Sequence, residues 1–106
     1  LPDIGSLLQE LARSPSLEPF QRLLDPLISH DRERGGDLLR TLTVFFECSE
    51  NASEAADRLF LHRNSVPYRL ERVRELTGLD YRDNLDRLAL RLALLALHEE
   101  TDEEDK

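Results

Sequence analysis

The chain is predicted to fold as an all-α domain. It should be a compact multi-helix domain with a helix-turn-helix, closed by a long apolar C-terminal helix. Three observations lead there. No segment alternates apolar and polar residues for long enough to make a convincing strand. Apolar residues recur at three- and four-residue spacing in successive blocks, with cap and breaker residues between them. At 106 residues and 40% apolar, the chain is too apolar to be disordered throughout and can bury one modest core.

The elements follow in order. Ile4, Leu7, Leu8 and Leu11 predict a short amphipathic helix, interrupted at Pro15-Ser16. Phe20, Leu23, Leu24, Leu27 and Ile28 continue the apolar pattern. Asp25-Pro26 should restart the helix, with Asp25 as N-cap and Pro26 at the first helical position. "HDRERGGD" reads as a polar loop, so residues 1–36 form a helical lead-in. Asp37 is expected to cap a stronger helix, whose stripe is Leu38, Leu39, Leu42, Phe45 and Phe46 and which ends near Cys48. Asn51 with Glu54 three residues on is a capping-box signature for a short Ala-rich helix through Leu59. A basic helix follows and ends at "LTG", with Gly78 as its left-handed cap. Asp83 caps a last helix running to about His98.

In that last helix Leu85, Leu88, Leu92 and Leu95 share one face, while Leu90, Ala93, Leu94 and Leu97 occupy others. A helix apolar nearly all round is buried on more than one side. It is either a central core helix or one with a face in the core and another in a dimer interface. The helix-turn-helix core is thus expected over 37–98, with an acidic, disordered tail at 99–106 that could also screen the basic surface.

Charge is distributed unevenly. The net charge is −8, yet Arg58 to Arg74 holds five arginines against Glu71 alone, and Glu99 to Lys106 holds six acids against one lysine. Local field governs docking more than the total does. The single cysteine, Cys48, excludes an internal disulfide and reads as a small buried apolar residue. No leader or membrane-length apolar run is present, which, with the single cysteine, fits a soluble protein of a reducing, cytoplasmic compartment. Opening on Leu1 rather than Met suggests a C-terminal piece of a longer protein.

Residues 52–77 match a helix-turn-helix template. Ala55 and Ala56 are small where a second helix must cross, and Leu59 closes the first helix. Leu61 supplies the buried turn residue, and Val66 and Leu70 the core contacts of the second helix. Phe60 stands where glycine is common. An ordinary helical hairpin has similar spacing; the basic second helix favours a DNA reader. Pro67 locates the start of that helix. Proline costs about 3 kcal/mol in a helix interior but little in the first turn. The helix should therefore begin at Asn64 or Ser65, after a looser turn at 62–64. Arg63, Asn64 and Ser65 then lie at the N-terminal end that such motifs push into the major groove, where free N–H groups also hold phosphate.

The stretch "ASEAADRLFLHRNSVPYRLERVRELTGLDYRDNLDRLALRLAL" resembles the C-terminal helix-turn-helix domain of PucR-type bacterial transcriptional regulators, which include the sugar-diacid regulators. The residues carrying the resemblance are Ala56, Leu59, His62, Asn64, Ser65, Val66, Tyr68, Arg69, Leu70, Leu76, Thr77 and Gly78, with Ser65 replacing the usual Thr. The likeness extends over roughly residues 17–98, including "LLDPLISHDRERGGDLLRTLTVFFE". It implies a domain at the C-terminus of a longer regulator, behind a sensory domain that responds to a metabolite. It also implies binding of double-stranded promoter DNA as a homodimer, through a motif similar to that of the Fis nucleoid protein, with nucleoid association when bound.

On this reading Arg63 grips guanine and Asn64 adenine, or Asn64 is only the helix cap. Ser65 suits a phosphate. Pro67 and Tyr68 project outward; Tyr68 touches a phosphate or thymine methyl, or packs on a neighbouring helix. Arg69 and Arg72 flank the groove as phosphate contacts, unless Glu71 or Glu75 ties one of them up. Arg58 reaches the backbone from the first helix, and His62 is a structural hydrogen-bonder. Glu71 and Glu75 would repel phosphate, so only the first two turns of the helix should enter the groove. His30, His62 and His98 are scattered without metal-ligand spacing, and no Gly-rich phosphate loop is present. No enzyme activity, cofactor or metal is expected. The alternative is a protein-interaction or dimerisation module that does not bind DNA.

Overall fold

The computed structural model describes residues 3–104, with side chains described up to His98. Seven α-helices and one 3-10 turn make up this part, with no strand among the described residues. They are α1 (Ile4–Ala12), the turn Pro15–Leu17, α2 (Glu18–Arg22), α3 (Asp25–Arg34), α4 (Leu38–Glu47), α5 (Ala52–Leu59), α6 (Ser65–Thr77) and α7 (Asn84–Glu104).

Capping chemistry sets most boundaries. The Asp3 carboxylate accepts from the Ser6 N–H at 3.1 Å and opens α1. The Asn51 side chain accepts from the Glu54 N–H at 3.0 Å and opens α5, as predicted. Asp83 accepts from the Asp86 N–H at 2.9 Å and starts α7. Gly78, at φ 77°, ends α6 and donates its N–H to Arg74. This left-handed conformation is one that glycine adopts without penalty.

Three expectations need correction. Asp25 is the first residue of α3 rather than its cap, and Pro26 is second. The chain arrives from α2 already in helical conformation at Leu24, whose carbonyl accepts from both Leu27 and Ile28, so no side-chain cap is used. "HDRERGGD" is mostly helix: α3 runs to Arg34 and turns at Gly35, φ 64°. Asp37 stands at the N-cap position of α4, as expected, but its side chain does not cap the helix. Asp31 does, one oxygen accepting from the Leu38 N–H at 2.9 Å and the other from Leu39 at 3.1 Å. The Gly35-Gly36 turn brings the end of α3 so close to the start of α4 that a carboxylate from the preceding helix reaches its free N–H groups. Asp37 instead faces Arg40 at 3.7 Å and Arg69 at 3.9 Å.

One core runs through the domain. Leu24 and Leu27 meet Leu42, Phe45 and Phe46 of α4, Ala55 and Ala56 of α5, Val66, Leu70 and Val73 of α6, and Leu90, Ala93 and Leu94 of α7. The lead-in therefore shares its core with the helix-turn-helix. α4 packs on α3, α5 and α6, and α7 packs on α1 and α2. Tyr81, in the α6–α7 connection, stacks edge-on against Phe45 at 4.9 Å. Arg91 of α7 lies over the Phe46 ring at 5.2 Å.

α7 is longer than predicted, continuing past His98 to Glu104. The tail expected to be disordered is therefore helical backbone at 99–104, while its side chains, and residues 105 and 106 altogether, lie outside the described part. Leu90, Ala93, Leu94 and Ala96 of α7 are buried, whereas Leu85 and Leu88 are exposed. Ile4, Leu7, Leu8 and Leu11 of α1 are also exposed. Among the described residues no helix is long and apolar enough to cross a membrane.

Candidate nucleic-acid interface

The α5–turn–α6 unit is held by small and branched side chains. Ala55 and Ala56 are fully buried where α6 crosses α5, and Leu59, Val66 and Leu70 fill the angle between them. The turn closes through the Leu61 N–H, which donates to the Ala56 carbonyl at 2.9 Å. Phe60 takes the left-handed conformation at φ 57° that glycine would normally supply, and its ring is 93% exposed. Periodicity could not reveal this solvent-facing aromatic, because its position is fixed by the turn.

The entry into α6 is built by His62. Its Nδ1 accepts from the Asn64 N–H at 3.1 Å, and its carbonyl accepts from the Ser65 N–H at 2.9 Å. These two bonds form the looser turn expected at 62–64, and α6 begins at Ser65. Pro67 is the third helical residue, where its missing N–H leaves no bond unmade. Asn64 is itself in helical conformation and makes no side-chain cap bond, so its amide is free and exposed. Asn64 thus occupies the N-cap position without a side-chain cap bond, and the His62 ring braces the turn before the helix instead.

Arg63 is exposed and makes no side-chain hydrogen bond or ion pair with the described residues. Ser65 is half-buried, Pro67 is exposed, and Tyr68 is 75% exposed. The arginines of α5 and α6 are engaged. Arg58 pairs with Glu47 at 3.0 Å and approaches the Cys48 sulfur at 3.5 Å; both contacts, the sulfur first, raise its pKa above the ordinary arginine value. Arg72 pairs with Glu75 at 2.8 Å. Arg74 pairs with Glu71, and that hydrogen bond holds the Glu71 carboxyl below its usual range while raising Arg74.

Arg69 turns inward. It donates to the hydroxyl of Thr41 at 3.1 Å and faces Asp37. Thr41 is completely buried, and its hydroxyl donates a hydrogen bond to the Asp37 carbonyl at 2.7 Å. This chain ties α6 to the first turn of α4. Sequence periodicity places Arg69 on the flank of α6 but not its partner on another helix.

A groove of about 840 Å³ runs along one flank of α6. Asn64, Ser65, Tyr68 and Arg72 line one wall; His30, Arg34, Gly36 and Asp37 line the other. Sequence reading missed the second wall, because those residues appeared to belong to a free loop. No group of three or more His, Cys, Asp or Glu among the described residues is arranged to hold a metal ion.

A tight α5–α6 pair whose second helix presents unpaired Arg63 and Asn64 at an exposed N-terminus defines a helix-turn-helix domain of the DNA-binding class. Residues 38–96 match the family model of the PucR C-terminal helix-turn-helix domain, and the chain belongs to this family. It is 37% identical over 92 residues to the purine catabolism regulatory protein of Bacillus subtilis, covering 87% of this chain and 17% of that protein. It is 44% identical over 62 residues to the carbohydrate diacid regulator of Escherichia coli, covering 58% of this chain and 16% of the regulator. The proline-responsive transcriptional activator PutR of Bacillus subtilis is 32% identical over 81 residues, covering 76% of this chain and 20% of PutR. The chain thus spans a fifth or less of the length of these relatives. No solved structure gives a significant match.

Proposed function

We propose that this chain is the DNA-reading domain of a bacterial transcription regulator and inserts the first two turns of α6 into the major groove. The observation that carries this reading is the pair of free side chains, Arg63 and Asn64, at the exposed start of α6. Arg63 reads guanine through two parallel hydrogen bonds and Asn64 reads adenine the same way. Ser65 bonds phosphate, and Pro67 and Tyr68 supply apolar contact at a thymine methyl or the sugar edge. Arg58 and Arg72 sit in solvent-accessible ion pairs with Glu47 and Glu75, weak enough for a phosphate to displace. Arg69 acts as a positioning residue, setting the pitch of α6 on α4. Glu71, held charged by Arg74, limits how deep the helix goes.

The same reading makes the domain a binding module rather than an enzyme. It works in the bacterial cytoplasm, behind a sensory domain in a chain as long as the relatives, and as a homodimer. The exposed leucines of α1 support the homodimer, since a second copy would cover them and align two recognition helices on adjacent half-sites.

A titration of a fluorescent random-sequence duplex at low salt tests the reading. The wild type should bind and weaken steeply as salt rises. Arg63→Glu should abolish binding while keeping its helical signal. Equal behaviour of the two proteins would remove α6 from the DNA surface and favour the interaction-module alternative.

A further inference from the structure

We infer that Arg34, at the end of α3, is a second anchor for the DNA backbone, placed across the groove from the recognition helix. The inference rests on the DNA-binding reading and extends its surface beyond the helix-turn-helix.

The groove joins the two parts. Its one wall is the exposed start of α6, at Asn64, Ser65 and Tyr68; its other wall carries Arg34 and Gly36. A duplex seated on Asn64 and Tyr68 brings its flanking phosphates toward that opposite wall. Arg34 is exposed there and has no side-chain partner among the described residues. The acids that could neutralise it from the same groove are already engaged. Asp37 faces Arg40 and Arg69, Glu71 holds Arg74, and Glu75 holds Arg72. Of the acids close by in sequence, Asp31 has both oxygens on the N–H groups of α4, and Glu33, next to Arg34, is exposed and does not line the groove. Arg34 is left as an uncompensated cation facing the recognition helix.

The wall that carries it is stiff. The Gly36 N–H donates to the Asp31 carbonyl at 3.2 Å. A Cβ on Gly36 would stand 3.1 Å from Asp31 Oδ1 and 3.3 Å from His30 Nδ1, so the turn is folded flat against α3. The geometry fixes the Arg34 backbone relative to α4, and through Thr41 and Arg69 relative to α6. A bland role also exists: an arginine in the last turn of a helix favours its dipole. That role affects stability and leaves the salt dependence of DNA binding alone.

The salt slope separates the two. Each phosphate contact contributes about 0.9 to the slope of log affinity against log salt. On the random-sequence duplex, Arg34→Ala should lower the slope by about 0.9 and weaken binding equally for all sequences. Arg34→Lys should restore it. Arg22→Ala, which removes an exposed arginine paired with Glu18 on α2, should leave the slope unchanged. If the wild type binds and Arg63→Glu does not, but Arg34→Ala keeps the wild-type slope, the Arg34 anchor is overturned and the DNA-binding reading stands. If the wild type itself fails to bind, both are overturned.

Discussion

Phe60 carries an energetic penalty visible in its backbone. A non-glycine residue in the left-handed region costs about 1–2 kcal/mol, and the exposed ring recovers little through packing. Phe60→Gly should therefore stabilise the domain by up to about 1 kcal/mol in urea unfolding, allowing for the freer unfolded chain. A loss of stability would mean that the ring makes a contact that outweighs the strain. Arg69 has the opposite balance. Its hydrogen bond to the buried Thr41 hydroxyl should make Arg69→Ala cost about 1–2 kcal/mol. If Arg69 positions α6 without touching phosphate, that variant lowers the melting temperature but keeps the salt slope of DNA binding; a reduced slope would return it to the phosphate contacts. The outward residues Arg63, Asn64, Pro67 and Tyr68 were legible in the sequence, because Pro67 fixes the start of α6 and the start fixes the face. The Arg69–Thr41 bond joins positions 28 residues apart, a distance that no local pattern encodes.

At the scale of elements, the junction of α3 and α4 decides how the site is shaped. Asp31 satisfies two N–H groups of α4 and adds negative charge at the positive end of its dipole. Asp31→Ala should cost about 1–2 kcal/mol, more than the usual single cap. Asp37→Ala, by contrast, should disturb α4 capping little, since its side chain makes no cap bond. Equal losses in a denaturant titration would contradict this division. Helix existence and the caps at Asn51, Gly78 and Asp83 were readable because each depends on residues within four positions. The α3–α4 boundary was misread because Asp37 satisfies the local rule as well as Asp31 does. Only the reversal at Gly35-Gly36 brings the earlier carboxylate into reach.

On the whole-molecule scale, the apolar periodicity of α1 was readable but its burial was not. Its stripe is only partly covered by the packing of α1 on α7, Leu7, Leu8 and Leu11 staying 41–46% exposed, and Leu85 and Leu88 of α7 are more open still. The core is complete without them, so their partner is to be sought outside a single copy. If that partner is a second copy, the sedimentation coefficient should rise with protein concentration. Leu7→Glu with Leu8→Glu should hold the protein as a monomer with unchanged helical signal. A wild type that stays monomeric throughout would remove this face from the homodimer.

The central claim is that Arg63 and Asn64 read base edges, and operator selection tests it most directly. Duplexes enriched from a random pool by the wild-type chain would be measured against Arg63→Ala and Asn64→Ala at fixed salt. Each variant should lose about 1–3 kcal/mol on the selected site and relax preference at one base position: guanine for Arg63, adenine for Asn64. If both variants keep the wild-type preference at every position, the start of α6 does not read the sequence, and the account of the site is wrong.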